Sequence, residues 1–207
     1  MYTRNLRKPS PSKNIYKFAS RKNRSTIMCE SGLEFDACFH LEFSPSIVAF
    51  ESQPKGIEYV LDGKVRRYTP DFRVVKSTGE IEFIEIKPER IHSSEKFRNE
   101  FEQKKVAYSQ IGYKLILVSE KQIRNQHLLS NLKTLHRFSN TALSDVHKKV
   151  LKLVKKAKSL SISQLATKMN LIIGDCIAAC AVLIGIGAIT ADLVTEPLCD
   201  HSLINEA

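Results

Sequence analysis

Two acidic side chains and a lysine lie close together in the stretch from Tyr68 to Pro88. Asp71 belongs to the run Tyr68-Thr-Pro-Asp-Phe72, and Glu85 and Lys87 form an acid-x-lysine triplet in a later apolar run. Between the two runs, the turn-forming segment 76–80 predicts an antiparallel hairpin that brings Asp71 near Glu85. Carboxylate oxygens suit Mg²⁺ or Mn²⁺, and a lysine can offset charge that develops during phosphate chemistry. The pattern therefore indicates metal-dependent cleavage of a phosphodiester.

The strand that carries Glu85 is predicted to lie inside a sheet. Alternation places Ile81, Phe83, Glu85 and Lys87 on one face, and Ile84 and Ile86 on the other. Both faces carry large apolar groups, as in an inner strand. A buried carboxylate and ammonium need partners there, which favours a functional role for both.

A third carboxylate comes from a predicted helix that begins at Ser31. Ser31 and Glu34 have the spacing of a capping box, which gives Glu34 a purely structural alternative. Apolar residues follow Glu34 at helical spacing, so its side chain lies on or beside the buried stripe, and we favour a metal ligand. The other acids of this region are predicted to be solvated surface groups, namely Glu30, Asp36 and Glu42.

Composition favours a nucleic-acid partner. The 207 residues include 32 Lys and Arg against 22 Asp and Glu, a formal net charge of +10, which suits a polyanion. Five cysteines without C-x-x-C pairs indicate neither a disulfide framework nor a zinc site, and a reducing cytoplasm fits. We expect no signal peptide and no membrane partner, because the longest uncharged apolar run, residues 176–189, is too short to span a bilayer with confidence.

The sequence predicts an arm and two domains. Residues 1–29 hold eight basic side chains and no acid, and we expect an unfolded arm that contacts phosphates through Arg21, Lys22 and Arg24, or remains a solvated tail. Residues 30–138 are predicted to form a first domain of mixed helices and strands. The predicted elements are a helix from Ser31, a strand 47–53, hairpin arms 56–61 and 65–75 turned at Asp62-Gly63, the Glu85 strand, a helix 94–110, a strand 113–119 and a helix 120–135.

A second domain is predicted over residues 141–207. Three helices and a β-wing indicate a winged helix, a fold that commonly binds DNA. Lys148 and Lys152 lie on its first, lysine-rich helix and are candidate phosphate contacts. The third helix has no side chain suited to reading base edges, so a protein-docking module is an equally good interpretation.

Four motifs in order resemble the TnsA family. They are Ser31-Gly-Leu-Glu34, Phe50-Glu-Ser-Gln53-Pro54, Tyr68-Thr-Pro-Asp71-Phe72 and Ile84-Glu85-Ile86-Lys87, within residues 25–120. The family is the endonuclease subunit of a heteromeric cut-and-paste transposase and also occurs in CRISPR-associated transposons. The resemblance implies an α/β, restriction-endonuclease-like core, a mixed sheet flanked by helices, followed by a small winged-helix domain.

The resemblance also implies an activity, partners and site residues. It implies cleavage of the 5′ strands at the ends of a transposon, with a TnsB-type DDE transposase acting on the 3′ ends and a TnsC-type AAA+ ATPase as regulator. Glu34, Asp71 and Glu85 would hold Mg²⁺ or Mn²⁺, and Lys87 would be the catalytic lysine. Gln53 matches a family position from which it either orients Glu34 or approaches the double-stranded DNA.

Two other functions remain open on the sequence. One is a stand-alone restriction or Holliday-junction-type nuclease with the same chemistry, which should cut DNA without partners. The other is a DNA-binding adaptor with a vestigial site. The complete set of Glu34, Asp71, Glu85 and Lys87 argues against the adaptor, because a decayed site should have lost a member.

Overall fold

The computed structural model describes residues 14–61 and 63–207. The chain divides into two compact units, Met1–Arg124 and Asn125–Ala207. The elements of the first unit are β1 Tyr16–Ser20, β2 Ser25–Cys29, α1 Gly32–Phe43, β3 Ile47–Ser52, β4 Ile57–Leu61, β5 Lys64–Tyr68, β6 Phe72–Lys76, β7 Ile81–Lys87, α2 Glu89–His92, α3 Glu95–Gln110, β8 Lys114–Ser119 and α4 Glu120–Ile123.

A four-stranded mixed sheet forms the centre of the first unit. Its order is β3-β6-β7-β8, with β7 antiparallel to β6 and parallel to β8. The hairpin of β6 and β7 and the inner position of β7 are thus as predicted. Helix α1 contacts β3 and β7, and α3 contacts β8. The result is a mixed α/β domain with a sheet flanked by helices.

Two apolar clusters support this sheet. One is aromatic: the Phe18 ring lies 5.0 Å from Phe39 of α1 and 6.5 Å from Phe50 of β3. In the other, Phe83 packs with Phe101 and Tyr108 of α3. Ile81 also contacts this second cluster, in agreement with the predicted alternation along β7.

The prediction of an unfolded basic arm over residues 1–29 is wrong for its second half. Residues 16–29 form the antiparallel hairpin β1–β2. The hairpin folds because Phe18, Ile27 and Cys29 are buried at alternating positions. Glu42, expected at the surface, is buried and accepts hydrogen bonds from the backbone N–H groups of Arg21 and Lys22 at 2.9 Å. The first part of the predicted arm, residues 1–13, lies outside the described residues.

Two predicted elements are interrupted. The predicted arm 65–75 is two strands in different sheets, β5 and β6, because the chain leaves the ladder at Thr69-Pro70-Asp71 and proline cannot donate a ladder hydrogen bond. The predicted helix 120–135 is also divided, since the Asn125 side chain accepts from Leu128 N–H and starts a new helix. Asp62 of the predicted turn lies outside the described residues.

The second unit begins at that new helix, so the division comes earlier than the predicted boundary at 138–141. Its elements are α5 Gln126–Phe138, α6 Asp145–Ala157, β9 Ser159–Ser161, α7 Ile162–Met169, α8 Ile173–Gly185, β10 Ile189–Ala191 and β11 Leu203–Glu206. The three strands form an antiparallel sheet of order β10-β11-β9. Helix α5 contacts α8, and its buried Leu129, Leu132 and Leu135 belong to this unit.

The five cysteines are free. Among the described residues, no single helix is long and apolar enough to cross a membrane. Helices α7 and α8 meet these two criteria only when taken together, and this pair is bent by 112°.

The division predicts how the chain tolerates truncation. A fragment that ends at Arg124 should fold cooperatively, because its sheet and both apolar clusters are complete. A fragment that ends at Phe138 retains α5 without α8 and should expose its leucines and aggregate more readily. Circular dichroism, thermal unfolding and light scattering of the two fragments check this. An unfolded shorter fragment beside a well-behaved longer one would place α5 in the first unit.

Candidate active site

Asp71, Glu85 and Lys87 meet at one end of the β6–β7 pair. Lys87 Nζ lies 2.6 Å from Glu85 Oε1 and 3.8 Å from Asp71 Oδ2. Asp71 immediately precedes β6, and its Oδ2 accepts a 2.7 Å hydrogen bond from Ile86 N–H. The register that pairs Phe72 with Ile84 thus brings together the acid of one strand end and the acid-x-lysine triplet of the next.

Glu34 approaches this cluster from α1 but serves as a cap in this structure. Ser31 is the N-cap, and Glu34 Oε1 accepts its hydroxyl at 2.9 Å while Oε2 accepts Glu30 N–H at 2.9 Å. The Glu34 residue is only 7% exposed, and its carboxylate interacts electrostatically with Lys87 and Asp71. Ser31 therefore caps the helix as predicted, but Glu34 binds Glu30 N–H in place of the Ser31 N–H of a capping box, next to the cluster that it was predicted to join.

Buried negative charge dominates the electrostatics. Burial, and next the neighbouring Glu85, raises the pKa of Asp71 to about 7. Burial also raises the pKa of Glu34, against the hydrogen bonds from Glu30 N–H and Ser31. Burial alone would lower the pKa of Lys87, but Asp71 and Glu85 outweigh it, so this pKa is raised and the ammonium is retained. Three carboxylates thus share one cation.

This charge balance fits a divalent cation. When all three carboxylates are ionised, they and the Lys87 ammonium leave two negative charges in a largely buried site, and hard oxygen donors suit Mg²⁺ or Mn²⁺. Within the described part of the chain, the oxygens of Glu34, Asp71 and Glu85 do not all come within 4.8 Å of one another. Lys87 Nζ contacts Asp71 and Glu85, while Ser31 and Glu30 N–H hold Glu34.

Two residues near Glu85 were missed by the sequence analysis. Tyr68 is buried and donates a 2.7 Å hydrogen bond to Glu85 Oε2, which leaves Lys87 on the other oxygen. Lys104 Nζ of α3 lies 4.5 Å from the centre of the Tyr68 ring, a cation–π distance. Burial lowers the pKa of Lys104, although Glu85 opposes this. Tyr68 stood in the Tyr-Thr-Pro-Asp motif, whereas Lys104 looked like one more charge on a solvated helix face.

The predicted DNA-binding residues differ in their surroundings. Lys22 Nζ donates to the carbonyls of Leu41 and Ser44, which caps the end of α1, while Arg21 and Arg24 are exposed in the β1–β2 turn. Gln53 is buried; its N–H donates to Asp71 C=O at 2.8 Å. Among the described groups, Gln53 Oε1 has no hydrogen-bond partner. Gln53 thus lies beside Asp71, without a hydrogen bond to Glu34.

Lys148 and Lys152 are exposed on α6 of the second unit. Lys148 Nζ lies 3.0 Å from Asp145 Oδ1, a surface pair that contributes little to stability. Both side chains can therefore exchange present contacts for a phosphate at small cost.

The fold and site define an α/β domain with buried carboxylates and a lysine at the end of an inner strand pair. Residues 44–120 match the family described as TnsA-like endonuclease N terminal. The chain therefore contains an endonuclease domain of this type, and the resemblance to the TnsA family is confirmed. The matched range includes Asp71, Glu85 and Lys87, while Glu34 lies before it. No curated protein sequence matches the chain.

Tyr68→Phe should weaken the site without unfolding the domain. The change removes the hydrogen bond to Glu85, at about 1 kcal/mol of stability, and should lower nuclease activity about tenfold because Glu85 loses its orientation. The matched control is Tyr59→Phe, whose ring also packs against Tyr68, 6.4 Å away. Thermal unfolding, and single-turnover cleavage with the expected transposase and ATPase partners present, check both variants. Equal activity in the two variants would contradict a positioning role for Tyr68.

Asp71→Asn should stabilise the metal-free protein at high pH. Because the folded-state pKa is raised to about 7, ionising Asp71 costs stability, and this cost is absent below about pH 4 and complete above about pH 8. The variant should gain up to about 4 kcal/mol at pH 8, since one pKa unit corresponds to about 1.4 kcal/mol, and little at pH 4. Urea unfolding with chelator measures this, with the exposed Glu102→Gln of α3 as control.

Adding Mg²⁺ should then stabilise the wild type and not Asp71→Asn, because a ligand that binds only the folded state raises stability. Equal stabilisation of both proteins by Mg²⁺ would remove Asp71 from the ligand set.

Proposed function

We propose that this chain is the metal-dependent endonuclease subunit of a cut-and-paste transposase and cleaves the 5′ strands at the ends of a transposon. The observation that carries this is the Asp71–Glu85–Lys87 cluster inside a TnsA-like endonuclease domain. The substrate is double-stranded DNA, bound in the cytoplasm of a prokaryotic cell. A transposon of the CRISPR-associated kind is one setting for such a subunit.

In this proposal Glu34, Asp71 and Glu85 hold Mg²⁺ or Mn²⁺. When bound, the metal polarises the phosphate and lowers the pKa of an attacking water. Lys87 is already anchored by Glu85 and keeps its proton, so it supplies positive charge where the phosphate gains negative charge. Tyr68 holds the remaining Glu85 oxygen. Arg21 and Arg24, exposed in the β1–β2 turn, are proposed phosphate contacts, and Gln53 is a proposed DNA contact beside Asp71.

The second unit is proposed to be a winged-helix module that mainly docks a partner. Support comes from the helices α6, α7 and α8, followed by an antiparallel sheet of order β10-β11-β9. Helix α8 presents no basic side chain, whereas Ile172 and Ile173 at its start are exposed. We assign this surface to a TnsC-type AAA+ ATPase and the lysines Lys148 and Lys152 of α6 to salt-sensitive DNA contacts. A TnsB-type DDE transposase would process the 3′ ends.

A stand-alone restriction or Holliday-junction-type nuclease is the alternative, since the same site chemistry serves it. The two differ in what the purified chain does by itself: a stand-alone nuclease cuts, and a transposase subunit is nearly silent without partners. An adaptor with a vestigial site is disfavoured, because Lys87 still bridges Asp71 and Glu85 and a carboxylate excess persists around them.

Asp71→Ala should abolish 5′-strand cleavage, by at least about 10²-fold, because it removes a proposed metal ligand. DNA affinity and folding should remain nearly intact, since Asp71 lies at a strand end. Strand-resolved gels on transposon-end DNA, with the transposase and ATPase present, measure this, and Glu102→Ala serves as the control. In transposition assays the variant should shift products from simple insertions toward cointegrates, because 3′ ends are still joined. Normal 5′ nicking by folded Asp71→Ala protein would refute the assignment.

A further inference from the structure

The loop between β10 and β11 holds a second cluster of metal-ligand side chains, unrelated to the nuclease chemistry. Glu196, Cys199 and His201 lie in this loop. One ligand atom from each comes within 4.8 Å of the other two. Within the described part of the chain, this is the one group of three His, Cys, Asp or Glu side chains that meets this distance.

The spacing of the ligand atoms suits a tetrahedral metal. His201 Nε2 lies 3.0 Å from Glu196 Oε2 and 3.2 Å from Cys199 Sγ. Around a tetrahedral Zn²⁺, nitrogen–oxygen and nitrogen–sulfur ligand pairs are about 3.4–3.6 Å apart, given the usual bond lengths. These two pairs therefore need to widen by only a few tenths of an ångström to admit an ion, and the ligand atoms of Glu196 and Cys199 lie within 4.8 Å of each other.

The other nitrogen of His201 has the partner expected in a zinc site. Its Nδ1 lies 3.3 Å from Asp200 Oδ1 and 3.4 Å from Cys199 Sγ, which also contacts Nε2. A histidine that binds a metal usually donates its second ring N–H to a carboxylate, which fixes the tautomer and raises the basicity of the ligating nitrogen. Asp200 is held in turn, because its backbone carbonyl accepts Ser163 N–H at 2.7 Å.

The loop backbone is fixed before any ion binds. Buried Asn131 of α5 donates through Nδ2 to the carbonyls of Leu193 and Glu196, at 3.0 and 2.8 Å, and accepts Leu198 N–H at 2.8 Å. At the other end, Cys199 N–H donates to Ser202 Oγ at 3.0 Å. Glu196 and Cys199 thus start from anchored positions, which lowers the ordering cost of binding.

The donor set selects the ion. A thiolate, an imidazole and a carboxylate suit Zn²⁺, whereas Mg²⁺ and Ca²⁺ prefer oxygen ligands only. Cys199 is the one accessible thiol among the five, since Cys29, Cys38, Cys176 and Cys180 are buried. Three protein ligands leave the fourth position of the tetrahedron to water.

We propose that Glu196, Cys199 and His201 bind one Zn²⁺, with Asp200 orienting His201, and that the ion fastens the loop of residues 192–202 in the second unit. The proposal departs from the cysteine spacing, which by itself indicates no zinc site. The spacing rule considers pairs of cysteines, whereas this set uses a single cysteine.

Cobalt titration of the full chain tests the proposal, because a Co²⁺–thiolate charge-transfer band reports the sulfur directly. One Co²⁺ per chain should give this band, and Zn²⁺ should displace it. Cys199→Ser should abolish the band, and His201→Ala and Glu196→Gln should each weaken Co²⁺ binding at least about tenfold. Asp200→Asn should weaken it about 10-fold to 100-fold, as changes to a residue behind a metal ligand do. The matched control is His127→Ala on α5.

Asp71→Ala separates this site from the nuclease site and should retain the full thiolate band. Zn²⁺ should also raise the unfolding temperature of the wild type, and not that of Cys199→Ser. Absence of a thiolate band in folded wild type, or its persistence in Cys199→Ser, would overturn the proposal. Loss of the band in folded Asp71→Ala would do the same. Should Cys199→Ser fail to fold, undiminished Co²⁺ binding by His201→Ala and Glu196→Gln would equally overturn it.

Discussion

The ion pair of Lys87 with Asp71 and Glu85 is the constraint around which the first unit is arranged. One ammonium is shared by Asp71, which immediately precedes β6, and by Glu85 of β7, an inner strand on which unpaired charge is costly. The pairing is incomplete, since burial and Glu85 leave the pKa of Asp71 raised to about 7. Keeping this excess of negative charge in a buried site lowers the stability of the folded protein, and a bound divalent cation would offset it. Buried groups that lower stability and have shifted pKa values are typical of functional sites.

The surrounding structure holds these negatively charged side chains in place. The β6–β7 register sets Asp71 beside Ile86 N–H, and Pro70 ends the previous strand so that Asp71 can turn toward β7. Tyr68 secures Glu85 from the α3 side. On the other side, Ser31 and Glu30 N–H keep Glu34 close to the cluster and outside it. Glu34 and Lys87 must therefore leave their present contacts before the three carboxylates can share one ion.

Local chemistry made much of this predictable. The apolar residues on both faces of β7 identified an inner strand, the turn formers at 76–80 identified its hairpin, and Ser31 identified the start of α1. The sequence could not show that Phe18 and Cys29 anchor a hairpin. The many basic residues in 1–29 obscured the short alternation of apolar and polar residues along these two strands. It also could not show that Lys104 reaches Tyr68 or that Glu42 is buried, since both contacts join segments far apart in the chain. The cluster of Glu196, Cys199 and His201 depends on how Asn131 shapes a loop, which no spacing rule describes.

Asp71 and its neighbours are proposed to form a metal-dependent nuclease centre. Anomalous X-ray diffraction from crystals soaked in Mn²⁺ can locate the ion independently of activity. We expect a Mn²⁺ peak within bonding distance of an Asp71 oxygen, with Glu34 or Glu85 as a further ligand. Full Mn²⁺ occupancy elsewhere, with the Lys87 ion pairs unchanged and no peak at Asp71, would contradict it.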